Sequence, residues 1–181
     1  MDIVIQSARK LGYADYAAIP KDGMRHEIID GEHYVNAAPN TKHQSVSVRL
    51  VYQLYTKVQL AGHGQIFSAP YDVQFSEHNI VQPDIVVVLN ANANIIRPSR
   101  IKGSPDLVVE ILSPSSTDYD RTTKKDMFEC HGVHEYWVVD AYEENLAQFV
   151  LRDGRYERTV VEDFVRAVFM PGLEIKLAEI W

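Results

Sequence analysis

Three short runs, "DIVVVL" from Asp84, "DLVVEIL" from Asp106 and "EYWVVD" from Glu135, are apolar at nearly every position. Turn formers bound the middle one, with Gly103, Ser104 and Pro105 before it and Ser113 and Pro114 after it, so each reads as a strand. A strand without hydrophobic alternation needs cover on both faces, which calls for a sheet inside a layered molecule. Two of these runs carry a carboxylate in an awkward place: Glu110 inside its run and Asp84 at the head of its own. Burying an unpaired charge is costly, so a cation or a hydrogen-bond network has to compensate.

The rest of the chain supplies the flanking elements. Its 181 residues, 46% of them hydrophobic, suit one globular domain spanning residues 1–181. Residues 13 to 19 read as a short helix before Pro20, and His26–Ile29 and His33–Asn36 as strands joined at an Asp30-Gly31 turn. Val46, Leu50, Leu54 and Val58 recur every four residues after Asn40 or Thr41 as a cap, which predicts a helix stopping at Gly62. "QIFSAP" and "DVQFSE" are strand-like, and residues 90 to 104 read as a mobile loop carrying Arg97, Arg100 and Lys102. "SSTDYDRTTKKDMFECHGV" predicts a capped helix ending near Gly132, followed by a strand and a hairpin turning at Asp153-Gly154. This order implies an α/β (α+β) fold with a mixed β-sheet flanked by helices.

Composition narrows the function classes. The apolar runs are strand-length, so no membrane helix is expected. The start, "MDIVIQSARKLGYADY", lacks the features of a secretory signal, and one cysteine, Cys130, excludes an internal disulfide; both fit a cytoplasmic location. A net charge of -7 argues against unspecific binding to polyanions, though not against a nucleic-acid enzyme with local or metal-borne positive charge.

Asp84 and Glu110 are read as the only two acids set beside strongly apolar strand cores. On neighbouring strands they would face each other and repel unless a cation lay between them. Oxygen pairs of this kind suit Mg2+, and Asp84→Asn is then expected to stabilise the metal-free protein. For either acid taken singly, a half-exposed strand end is the alternative. In the following helix Lys124 shares a face with Phe128, and Lys125 with Glu129, so Lys124 is expected to turn toward the sheet and Lys125 toward water, with two solvated lysines as the alternative. On that reading Lys124→Ala removes hydrolysis and spares the fold.

These stretches together, "HEIIDGEHYVNAAPNTKHQSVSVRL", "VQPDIVVV" and "DLVVEILSPSSTDYDRTTKKDMFECHGVHEYWVVD", resemble the Uma-two family of endonucleases with the PD-(D/E)XK restriction-endonuclease-like fold. The resemblance runs in order from about residue 15 to beyond 150. It implies that Asp84 and Glu110 are the paired motif acids and ligands of Mg2+ (or Mn2+). The lysine of the standard pattern would fall at Leu112, and the resemblance moves it to Lys124. It adds Glu27, His43 and Gln82 as site residues, and departs from relatives at His134. It implies a DNA substrate cut with metal-activated water, and leaves a homodimer open. From their place on the loop that enters the Glu110 strand, and not from the resemblance, Arg97, Arg100 and Lys102 are the expected DNA-binding residues on the approach to the site, with a merely solvated loop as the alternative. His43 as a structural residue remains the alternative to a site role. Cys130, His131 and His134 lack a fourth ligand for structural zinc. Two other functions compete with a nuclease: a non-catalytic domain of this fold that binds nucleic acid or a protein, and a hydrolase of another phosphate ester.

Overall fold

The computed structural model describes residues 9–36, 38–113 and 120–181, the side chains of 120 and 121 excepted. The expected start of the Lys124 helix within 114–119, and the chain before residue 9, lie outside the described residues. Helix α1 (Tyr13–Ala17) leads into the antiparallel pair β1 (Arg25–Ile29) and β2 (Glu32–Asn36). Their turn holds Asp30 at φ 49 and Gly31 at φ 82, the left-handed pair that an Asp-Gly hairpin provides. Helix α2 (Thr41–Leu54) starts where the Asn40 side chain accepts the His43 amide at 3.0 Å. Val46, Leu50, Leu54 and, beyond a π-helical turn over Tyr55–Gln59, Val58 are fully buried. Each contributes on the order of 1.5–3 kcal/mol.

Strands β3 (Gly64–Ser68), β4 (Val73–Ser76), β5 (Asn79–Val81) and β6 (Ile85–Leu89) follow. The expected mobile loop is instead a 3-10 turn (Asn90–Ile95) and a hairpin of β7 (Ile96–Arg97) and β8 (Arg100–Lys102). Ile101 explains the order: it is fully buried between outward Arg100 and Lys102, a two-residue alternation that makes a strand. Next come β9 (Leu107–Ile111), a π-helical turn over Asp120–Lys124, α3 (Lys125–Cys130) and β10 (Glu135–Asp140). The chain continues through β11 (Asn145–Arg152), β12 (Arg155–Val161), β13 (Phe164–Arg166) and β14 (Glu174–Lys176).

Two mixed six-stranded sheets result, ordered β12-β11-β10-β9-β6-β3 and β2-β1-β5-β4-β8-β7, with β13 and β14 forming a small third. The three apolar runs are the adjacent strands β10, β9 and β6. One face, carrying Val87, Val109 and Trp137, packs on α2 and on residues around the β13–β14 pair such as Ile175. The other, carrying Val86, Val108 and Tyr136, packs on Phe128 of α3 and on Ile29, Val73 and Ile101 of the second sheet. The α+β class agrees with expectation, but one covering layer is a sheet where helices were expected. Among the described residues no helix is long and apolar enough to cross a membrane.

Glu135 corrects the reading that Asp84 and Glu110 are the only acids in apolar strands. It is fully buried. Its Oε1 accepts from Trp137 Nε1 at 2.6 Å and Gln148 Nε2 at 2.7 Å, and its Oε2 from the amides of Val168 and Phe169 at 2.6 and 2.8 Å. This carboxylate ties the segment after β13 to the central sheet, far in kind from a solvated strand end.

Candidate active site

Strands β6 and β9 run antiparallel with Ile85 opposite Val109, and one further step of that register sets Asp84 opposite Glu110. Asp84 has the strand parity of Val86, and Glu110 that of Val108, so the two acids share the face turned to the second sheet. From that sheet β1 brings Arg25 and Glu27. From α2 comes His43, and from the turn before α3 comes Lys124.

The contacts are dense. Asp84 Oδ1 accepts from Arg25 Nη1 at 2.8 Å. Its Oδ2 accepts from the Ile111 amide at 2.8 Å and from His43 Nε2 at 3.0 Å. Lys124 Nζ donates to Glu110 Oε1 at 2.8 Å and to Glu27 Oε1 at 3.1 Å. Glu27 also accepts from the Gln82 amide and from Asn36 Nδ2, both at 2.8 Å. Lys124 is 1% exposed, Glu27 0%, Glu110 2% and Asp84 4%, so this is an ionic cluster in the interior. Gln82 stands at its rim: Nε2 donates to Asp72 Oδ1 at 2.8 Å and to Tyr16 Oη at 3.1 Å, while Tyr16 donates to the same Asp72 oxygen at 2.6 Å. A cleft of about 1400 Å³ opens onto Arg25, His43, Gln82 and Asp84, with Val35 and Val48 on its walls. Glu27, Glu110 and Lys124 do not line it. Among the described residues, three buried polar atoms have no partner, and all belong to the cleft floor: Arg25 Nε, His43 Nδ1 and Gln82 Oε1.

The six residues expected at the site therefore converge, with Lys124 on the Phe128 side of its helix as its face predicts. Arg25, Asp72 and Tyr16 were missed. Arg25 had a signal, since it lies two residues before Glu27 on one strand and so shares its face. Lys125 is not part of the cluster, and its amine pairs with Asp126 rather than Glu129. Arg97, Arg100 and Lys102 do not line the cleft, although the Ile101 amide between them donates at 2.9 Å to the carbonyl of Asp72, which does. Arg100 donates to Gln74 Oε1 at 2.9 Å and to Tyr13 Oη at 3.0 Å, with its guanidinium 4.1 Å from the Tyr13 ring centre. Arg97 and Lys102 are exposed.

Electrostatics follow from this packing. Burial raises the Asp84 carboxyl, but the His43 hydrogen bond and the Arg25 guanidinium outweigh it and lower the pKa to about 2. Burial likewise opposes ionisation of Glu27, and Lys124 and Arg25 reverse the balance and hold it below the usual range. Burial disfavours the Arg25 charge, and the fields of Asp84, Glu110 and Glu27 restore it. Burial and the bond to Asp72 push the Tyr16 hydroxyl up. A depressed carboxyl stabilises the fold above its unfolded pKa, here 3.8, and that contribution fades as pH falls through about 2.

The expected stabilisation by Asp84→Asn is therefore reversed, because protein cations already neutralise the acids. At neutral pH Asp84→Asn is expected to lower stability by about 2 kcal/mol. In urea unfolding, the difference from wild type should shrink between pH 4 and pH 2, the range set by the lowered Asp84 value. A mutant as stable as wild type at pH 7 would remove the Arg25 pair from this account.

Among the described residues, no group of three His, Cys, Asp or Glu side chains has metal-holding geometry. A family model named Uma2 and described as "Putative restriction endonuclease" matches residues 13–178. The fold is similar to a solved structure described as "a putative nuclease belonging to DUF820 from Anabaena variabilis", with a TM-score of 0.79 and 20% identity over 94% of this chain and 97% of the other. At that identity the likeness shows a shared fold. No curated protein matches the chain. The family match begins at the first residue of α1, takes in both sheets and every residue of the cluster, and so makes this protein a member of the Uma2 family.

Proposed function

We propose that this protein is a metal-dependent nuclease that hydrolyses DNA phosphodiester bonds at the cleft floor. The observation that carries the reading is the convergence of Asp84, Glu110, Glu27 and Lys124 from two sheets and a helix behind one cleft. Asp84 and Glu110 would hold Mg2+ or Mn2+. Their hard carboxylate oxygens suit such ions, and the low Asp84 pKa keeps that donor ionised to acid pH. The metal, when bound, supplies positive charge for phosphoryl oxygens and acidifies an attacking water. The remaining parts belong to the chain. Lys124 orients Glu110 and Glu27, His43 and the Ile111 amide fix Asp84, and the partnerless Gln82 oxygen is an acceptor held in place by the bonds its own amide donates to Tyr16 and Asp72. Arg97 and Lys102 remain candidates for phosphate contact away from the floor.

One observation favours a second reading, a non-catalytic domain that binds nucleic acid or a protein: Arg25 and Lys124 already neutralise the acids. An assay on supercoiled and linear DNA with Mg2+ or Mn2+ separates the two. Cleavage should need the metal, vanish in Asp84→Ala and stay within about twofold in Lys125→Ala, a half-buried lysine whose amine pairs with Asp126 outside the cluster. Cleavage that survives Asp84→Ala, or none with either metal on any DNA form, would decide against the nuclease.

A further inference from the structure

Arg25 enters the cluster with its Nη1 on Asp84 Oδ1 at 2.8 Å and its Nη2 on the Gln82 carbonyl at 2.6 Å. The other oxygen of Asp84 already accepts twice, from Ile111 and His43. Oδ1 is therefore the oxygen most available to a ligand, and a guanidinium stands on it. A divalent cation and a guanidinium at one buried carboxylate oxygen repel strongly, because little water screens them. From these contacts we infer that Arg25 is the resident counter-cation of the cluster, and that a divalent metal reaches Asp84 only by displacing the guanidinium. The inference rests on the proposed role of Asp84 as a metal ligand.

The surroundings allow such an exchange. The Arg25 side chain is 18% exposed against 4% for Asp84, and it lines the cleft. Its Nε has no partner among the described residues, so two contacts hold the guanidinium in place. Lys124 differs: it is 1% exposed, does not line the cleft and bridges two acids. Of Arg25 and Lys124, Arg25 is the one with open volume beside it. Once displaced it remains at the cleft floor, where its planar donors match a phosphate.

Calorimetric titration of Mn2+ into the full chain tests this without any substrate. Apparent affinity is reduced by the fraction of molecules whose site is competent, so Arg25→Met should bind Mn2+ at least about tenfold more tightly than wild type. Asp84→Asn should bind none at this site. Binding in wild type that depends on Asp84 but is unchanged or weaker in Arg25→Met overturns the inference and leaves the metal assignment standing. No Asp84-dependent binding in either protein overturns the assignment and the inference together. If Arg25→Met does not fold, the wild type serves: the guanidinium NMR signals of Arg25 should lose their hydrogen-bonded character as Mg2+ saturates. Signals unchanged at saturation overturn the exchange.

Discussion

Replacing Lys124 with alanine is expected to lower folding stability by roughly 3–5 kcal/mol, the cost of leaving buried carboxylates without their counter-ion. The ammonium is almost wholly enclosed and donates to both Glu110 and Glu27. For a chain of this length that is a fall in melting temperature on the order of 10 °C. The expectation that Lys124→Ala spares the fold thus gives way: the lysine is a cross-brace between acids of two sheets as well as a charge beside a site. Lys125→Ala should stay within about 0.5 kcal/mol of wild type. Combining Lys124→Met with Glu27→Gln should recover part of the loss, since neighbours in one network do not add. Thermal and urea unfolding measure all three. Lys124→Ala as stable as wild type would mean that Glu27 and Glu110 do not depend on it.

Glu135→Ala is expected to be comparably severe, at about 4 kcal/mol or more. It takes the acceptor from four donors at once, each costing about 1–3 kcal/mol when buried and unpaired. Two of those donors are the backbone amides of Val168 and Phe169, so the segment between β13 and β14 should become open to protease while the Asp84 cluster keeps its contacts. Glu135→Gln, which keeps one acceptor oxygen, should lose less. Limited proteolysis with unfolding measurements reads both effects. Uniform cleavage over the whole chain, with no early cut near Val168, would contradict the tether.

How far the sequence could be read depended on the kind of signal each element leaves. Four-residue apolar spacing marks α2, and uninterrupted apolar runs mark β6, β9 and β10, because burial itself selects those patterns. The same reasoning exposed Asp84 and Glu110 as misplaced charges, and the Phe128 face oriented Lys124. Glu27 came from the family resemblance, since an acid in a five-residue strand beside a turn looks like any solvated one. Arg25 went unseen because the first strand was read as starting at His26, one residue after it. β5, β7, β8, β13 and β14 have two or three residues each, too few to show a period. Two sheets in place of one could not be read, because strand order is decided by contacts between distant residues. Glu135 was passed over for the same reason: three of its four donors come from Gln148 and from a segment 33 or more residues away, and only Trp137 is a near neighbour.

Lys124 and Glu110 lie 14 residues apart, but two other ion pairs of the site join distant points of the chain: Arg25 and Asp84 by 59 residues, Lys124 and Glu27 by 97. Contacts of such long range can form only once the loop entropy between their partners has been lost. A nascent or truncated chain therefore holds the separate acids and bases without the cluster. Completion of the tertiary structure is itself the step that brings the charged centre into being, and fragments lacking either β1 or the turn before α3 would have no such centre to assemble.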